Sequence, residues 1–396
     1  MKIGDGREIP ATAHSWGLAS LLNWQPTADG GLVAGIEFYS EGARAIRLGV
    51  LVDSIPEGSV LRFYGEGDQV SESTSAQIGR IRLLNEAGGI LGDSARMYWG
   101  ADTAGAISTM EIQLPPGENP DDLRLAVPRL SHMYLNPALP ASMQKSASDI
   151  GRSSWANPDV MCRSDLQAES RSVAKMVFSR EDGLVGMCTG TLLNDASNSQ
   201  TPYFLTANHC IKNQHEASTL KTYWFFRAAG CNRSPQSDQA STVLTGGAEL
   251  LFSDPETDTA LLRLNARPPA KVVYAGSYFG EGVGPGLDAS SVHHPWGDFQ
   301  KYSDGQVGGY VACGADRLCT MAKDASFGLL SVNVHKGIAE PGSSGSPLLI
   351  QLGHTRYVAG ALYGYLTNCM ECEGQVAVYG RLELAFPKGI GRWLTP

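Results

Sequence analysis

The strongest constraint on this chain is how soon each apolar run is cut. AIRLGVLV (Ala45–Val52), SVLRFYG (Ser59–Gly65), STMEIQL (Ser108–Leu114) and LRLAVPRL (Leu123–Leu130) last only seven or eight residues each. Turn formers such as PEG and PPGENP stand between them. Short runs with apolar residues in alternation suit half-buried antiparallel strands, because strand side chains point to opposite faces in turn. The 46 glycines and 21 prolines extend that pattern over the whole chain. An all-β protein is predicted, with a β-sandwich at the N-terminal side, where no stretch of helical period is long enough to predict a helix.

The 396 residues exceed one typical core and predict more than one domain. After Leu135 the sequence NPALPASMQKSASDIGRSSWANP is rich in Pro, Ser and Ala with no apolar period, which reads as a linker. The predicted division is a β-sandwich over residues 1–135, a linker over 136–157 and a second β domain over 158–396. In that second part short strands return as VAKMVF, GTLL, YFLTA, ALLRL, PLLI and YVAGALYGY, and GIGRWLTP reads as a short terminal helix.

A net charge of −9 excludes nucleic acid as the main partner, because binding phosphates needs a basic surface. No polybasic segment is present for anionic membranes, and no apolar run approaches the roughly 20 residues of a membrane-spanning helix. All 8 cysteines fall at or after Cys162. Their clustering and even number predict disulfides and an oxidising compartment, hence a secreted or periplasmic protein. The start, MKIGDGREIPATAHSW, lacks the apolar centre of a signal peptide, so a leader removed or a start mis-set is expected.

Cleaving an amide needs a nucleophile, a base beside it, an acid that orients the base, and donors for the oxyanion. His209 is the candidate base: in TPYFLTANHC an apolar strand ends in small residues just before it, and strand ends display catalytic side chains. Asp258, in ETDTALLRLN, is the candidate orienting acid, a carboxylate placed directly before a buried strand. Asp254 is the alternative, but the proline after it favours a turn role. Ser344, in EPGSSGSPLL, is the candidate nucleophile. Gly342 and Gly345 allow the backbone twist that points the N–H groups of Gly342 and Ser344 inward as an oxyanion hole. Ser343 and Ser346 are rival hydroxyls without glycines placed symmetrically around them. The chain order His, Asp, Ser in a strand-rich setting makes the three candidates one constellation.

These motifs resemble those of chymotrypsin-fold serine proteases, and within them the bacterial lysyl endopeptidases. ANPDVMC, CTGTLLND, YFLTANHC, SVHHPWGDFQKYS, EPGSSGSPLL, the YGR at Tyr379–Arg381 and the terminal RWLTP follow in the family's order over roughly residues 157–396. The resemblance implies a double antiparallel β-barrel with the active site between the barrels. It implies the pairs Cys162–Cys231 and Cys188–Cys210, the second holding the histidine loop. The family's N-terminal cysteine is absent, with Trp155 about where it would stand. Tight spacing then suggests Cys313–Cys319 and Cys369–Cys372, although a CMEC motif is also compatible with a redox or metal site.

Two departures bear on function. Lysine-selective members place an aspartate shortly before the YGR motif, at the base of the specificity pocket. Ala377 stands there in this chain, and nothing neutral compensates a buried ammonium. Tyr363 and roughly Cys313 replace the family's pocket-flanking histidine and tryptophan, while Glu340, Glu371 and Glu373 are nearby acids able to supply charge from another wall. Ser343 stands where related zymogens keep the aspartate that receives a new N-terminal ammonium, so that switch is not expected. His293 and His294, adjacent on an extended chain, point in opposite directions and are read as structural rather than metal ligands. Trp24 and Trp99 are read as core residues rather than binding platforms.

The predicted function is a serine endopeptidase acting on proteins or peptides as a monomer, with no cofactor and no metal. The rival is a protease-like binding or adhesion protein without turnover.

Overall fold

The computed structural model describes residues 1–65, 67, 70–139, 153–233, 241–280, 283–314, 319–366 and 375–395. The short alternating runs form strands, as their period requires. On the N-terminal side, Gln25–Pro26, Leu32–Tyr39, Ile107–Leu114, Val60–Tyr64 and Ser71–Thr74 make one sheet in that spatial order. A second layer holds Lys2–Glu8, Arg124–Met133, Ala45–Ser54 and Met97–Ala104. Phe38, Leu61, Phe63, Met110 and Ile112 face Ile46, Leu48, Val50, Leu125 and Val127 across a shared core. Each such side chain contributes about 1.5–3 kcal/mol by leaving water.

A helix over Ser75–Ala87 departs from the expectation of no helix in this part. Its buried positions are only Ile78, Ile81 and Asn85, a stripe too narrow to show as a helical period. The legible signal was its start. Gln77 N–H donates to Thr74 Oγ1 at 3.2 Å while Thr74 N–H donates to Gln77 Oε1 at 2.9 Å, a reciprocal capping box.

The remaining strands build the two halves of a double barrel. Val173–Ser179, Val185–Leu193, Tyr203–Ala207, Lys221–Trp224, Thr242–Leu244, Ala248–Asp254 and Thr259–Leu264 form an open half-barrel. Six strands close into a ring: Asp288–His293, Lys301–Cys313, Leu329–Lys336, Val376–Arg381, Thr355–Tyr365 and Pro347–Leu352, which pairs back with the first. Leu205, Leu261, Val292, Leu349 and Val358 pack between the halves. The terminal Gly391–Leu394 is helical and puts Leu394 into the same cluster.

Disulfides join Cys162 to Cys231, Cys188 to Cys210 and Cys313 to Cys319. The first closes a separation of 69 residues, where the loss of unfolded-chain freedom is worth about 4 kcal/mol. Cys369, Cys372, Glu371 and Glu373 lie outside the described residues.

Composition pointed to separate domains, but the backbone joins them. Lys2–Glu8 pairs with Arg124–Met133 on one side and with Val185–Leu193 on the other, so the sandwich and the half-barrel share one sheet. Beside that join lies a buried charge cluster. Arg47, fully buried, donates to Asp102 at 2.5 and 3.1 Å, to Ser179 Oγ at 3.0 Å and to the Thr219 carbonyl at 3.2 Å. Lys221 and Tyr223 bring Nζ and the hydroxyl to the same carboxylate at 3.0 and 3.1 Å. Burial opposes ionising Asp102, yet Arg47 and Lys221 hold its carboxyl well below the usual range.

At the end of Asp288–His293 both histidines are buried and turn apart, as their spacing required. His293 Nδ1 meets Ser343 Oγ at 2.8 Å, and His294 Nδ1–H donates to the Asp298 carbonyl at 3.0 Å. Burial pushes both imidazoles down to about 3, and the positive charges of Lys301 at His293 and Lys175 at His294 push the same way.

Two outcomes follow from these buried groups. Asp102→Ala leaves Arg47 and Lys221 without their counter-charge, and a loss of about 3–5 kcal/mol is expected in urea unfolding. The second concerns pH. The unfolded chain takes up histidine protons near 6.5, whereas the folded chain leaves His293 and His294 neutral down to about 3. Their contribution is therefore intact above 6.5 and declines as pH falls toward 3. The urea midpoint should drop between pH 6.5 and 5, and His294→Gln should shrink that drop.

Candidate active site

Strand register brings the first two candidates together. Tyr203–Ala207 pairs antiparallel with Thr259–Leu264, with Ala207 opposite Thr259. The next residues outward are Asn208 and Asp258, and Asn208 N–H donates to the Asp258 carbonyl at 2.9 Å. Asp258 then holds His209 twice. Its Oδ2 accepts from Nδ1–H at 2.7 Å and its Oδ1 accepts from the His209 backbone N–H at 2.8 Å. One carboxylate thus fixes both the ring tautomer and the loop that carries the ring. Cys188–Cys210 fastens the residue after His209 to the neighbouring strand.

Asp258 adopts this position with φ at +46°, a left-handed conformation that few non-glycine residues take. Close packing holds it there. A Cβ at Gly380 would stand 1.9 Å from the Thr257 carbonyl oxygen, and one at Gly328 would stand 2.2 Å from that of Glu256. Asp254 braces the turn before Asp258 instead of meeting the histidine. Its Oδ2 accepts from Thr257 Oγ1 at 2.7 Å and from Lys388 Nζ at 3.0 Å.

The serine loop is seated by backbone contacts. Gly345, with φ at +81°, lies so near the half-barrel that a Cβ would stand 2.2 Å from Thr206 Oγ1 and 2.3 Å from the Thr189 carbonyl oxygen. Thr189 N–H donates to the Ser344 carbonyl at 2.8 Å, and Thr189 Oγ1–H to the Gly342 carbonyl at 2.9 Å. Trp296 N–H takes the Pro341 carbonyl and Ser346 N–H takes that of Ser343. With these carbonyls turned inward, the N–H groups of Gly342 and Ser344 donate to no acceptor among the described residues. Ser343 and Ser346 are fully buried, whereas Ser344 is partly exposed.

The pocket candidates separate. Tyr363 sets its ring edge-on to His209, with centroids 6.0 Å apart. Beside Tyr363 opens a cleft of about 580 Å³ lined by Glu256, Val311, Cys313, Phe327 and Leu329. Ala377 is buried in the apolar core of the closed barrel, among Val332, Leu362 and Tyr379. The Glu340 carboxylate is engaged in structure: Ser154 N–H donates to it at 3.0 Å, Asn157 Nδ2 at 2.5 Å and Trp296 Nε1 at 3.0 Å. Sequence reasoning quoted the stretches that hold Thr189 and Glu256, CTGTLLND and ETDTALLRLN, but gave neither residue a role; only the folded register puts them at the site.

The lysyl endopeptidase C-terminal domain family matches residues 150–380, and the lysyl endopeptidase N-terminal domain family matches residues 1–134. The lysyl endopeptidase of Pseudomonas aeruginosa is 33% identical over 362 residues, covering 88% of this chain and 72% of that protein. An HtrA-type protease, AlgW, solved with a tripeptide is 15% identical with a TM-score of 0.38, over 56% of this chain and 60% of that one. A serine endoprotease from Yersinia pestis is 17% identical with a TM-score of 0.37, over 58% of this chain and 65% of that one. This chain thus spans less than two thirds of either structure. The chain belongs to the lysyl endopeptidase family and is a serine endopeptidase.

Proposed function

We propose that the protein cleaves peptide bonds through an acyl-enzyme formed on Ser344, with His209 as general base and Asp258 as orienting acid. The observation that carries this reading is the double grip of Asp258 on the ring and backbone of His209. Ser344 Oγ attacks the scissile carbonyl carbon as His209 Nε2 takes its proton. The carbonyl oxygen becomes an oxyanion facing the N–H groups of Gly342 and Ser344. Its collapse expels the amine, which leaves with the proton from His209. Water then repeats the sequence on the acyl ester, with Asp258 ionised throughout.

The chain divides functionally as residues 1–135, 136–157 and 158–396, and the first unit is an accessory domain seated by the Arg47–Asp102–Lys221 cluster. Three disulfides among the described residues support an extracellular or periplasmic site of action for a monomer acting on protein or peptide substrates. No helix among the described residues is long and apolar enough to cross a membrane. Ala377 is uncharged and lies in the barrel core, and the bonds to Glu340 already engage its carboxylate, so neither supplies the counter-charge that strict selection of lysine needs.

Ser344→Ala and His209→Ala should each lower kcat on a peptide amide by about 10⁴–10⁶, and Asp258→Asn by about 10⁴, with the fold unchanged by circular dichroism. Hydrolysis that survives Ser344→Ala at the wild-type rate would overturn the assignment. Cleavage-site profiling on a peptide library should show weak discrimination for Lys. A strict Lys profile would overturn that reading and call for a counter-charge at the cleft, where Glu256 lies.

A further inference from the structure

The loop that carries Ser344 is held by hydrogen bonds at most of its carbonyls and by several side-chain contacts, among them Ser291 to Ser346 and a second one at Ser343. Ser343, fully buried, brings its Oγ to 2.8 Å from Nδ1 of His293, itself buried at the end of Asp288–His293. Glu340 N–H also donates to that Oγ at 3.2 Å, which leaves the hydroxyl both a proton to give and a lone pair to take one, so either neutral tautomer of the ring can make the contact. His293 Nε2 has no partner among the described residues, so Nδ1 is this ring's one hydrogen-bonded contact there. The chain after His293 forms the floor of the same loop. A Cβ at Gly342 would stand 2.7 Å from the His294 carbonyl oxygen and 3.1 Å from Trp296 N.

We propose that His293 is a positioning residue for the oxyanion hole: its imidazole latches the Ser343 hydroxyl and so holds the peptide that presents the Gly342 N–H. The inference rests on the reading of Ser344 as nucleophile. It supplies a reason why this site needs no ammonium–carboxylate pair at Ser343. The imidazole and the hydroxyl form a neutral pair, which avoids the cost of burying two charges. The geometry also says which groups surround the latch. The charge that reaches His293 is that of Lys301, while Ser343 is faced by the backbone of Glu340. Removing the contact leaves the nucleophile, the base and the substrate cleft in place but frees the loop to tilt. A displacement near 1 Å at reacting atoms costs on the order of 10²-fold in rate.

The test compares His293→Leu, His293→Asn, Ser343→Ala and the double variant His293→Leu/Ser343→Ala on a peptide amide. Thermal unfolding confirms that each is folded. His293→Leu and Ser343→Ala should each lower kcat by about 10- to 100-fold with KM within about twofold. The double variant should lose no more than either single change, because both remove one contact. Asn can turn either its Oδ1, as acceptor, or its Nδ2, as donor, toward the Ser343 hydroxyl, so His293→Asn should recover most of the rate. Affinity for a peptide aldehyde, whose adduct carries the oxyanion, should fall in step with kcat. Binding of the peptide amide in a Ser344→Ala background should not change with the His293 variants. Wild-type kcat in His293→Leu beside an inactive Ser344→Ala overturns the latch and leaves the nucleophile standing, and additive losses in the double variant also overturn it. If His293→Leu does not fold, His293→Asn and Ser343→Ala decide: losses in Ser343→Ala without an effect on aldehyde affinity overturn the proposal. Activity that survives Ser344→Ala removes the reading on which it rests.

Discussion

The site depends on one close contact between the barrels. Gly345 sits against Thr206 and Thr189 at a distance that admits no side chain. Thr206 lies three residues before His209 on a strand whose register also sets Asp258. The serine loop is therefore located against the two strands that carry or flank His209 and Asp258. Two bonds from Thr189 then orient that loop by taking two of its carbonyls, while the N–H groups of Gly342 and Ser344 meet no acceptor among the described residues. The proposed nucleophile, base and oxyanion donors share one mechanical reference. Such preorganisation is where the electrostatic part of catalysis arises, since donors already in place need not reorganise as charge develops.

The acid is held by the same kind of packing. Asp258 keeps a left-handed backbone because the turn before it is pressed against Gly328 and Gly380 in the closed barrel. Gly380 belongs to the YGR motif, so this short sequence reaches the Asp258 turn from the opposite barrel. Arg381 extends the effect by donating to the Phe327 carbonyl at 2.8 Å, which holds the wall of the cleft beside Tyr363. Motifs far apart in the chain thus converge on one turn.

Much of this was legible in the sequence, and the reason is local. The His209, Asp258 and Ser344 motifs each combine a reactive side chain with the strand end or glycine that displays it, within ten residues. The alternation of AIRLGVLV and its fellows made strands unavoidable for the same reason. What escaped were features made by long-range register. The sharing of one sheet by Lys2–Glu8 and Val185–Leu193 leaves no mark in composition, and neither does the meeting of Arg47, Asp102 and Lys221. The Ser75–Ala87 helix escaped because its buried stripe is narrow, although its capping box was readable. Glu340 looked like a pocket acid by its place before the serine, while its donors from Ser154, Asn157 and Trp296 make it a brace. His293 was read as structural from its neighbour on an extended chain, and its hydrogen-bond partner Ser343 lies 50 residues away, where no local pattern shows it.

The central claim is that Ser344, among three serines in one loop, is the activated nucleophile. The most direct measurement is peptide mass mapping after reaction with a fluorophosphonate. The account predicts a single adduct on Ser344 that is lost in His209→Ala. An adduct on Ser343 or Ser346, or none above a Ser344→Ala control, would contradict it.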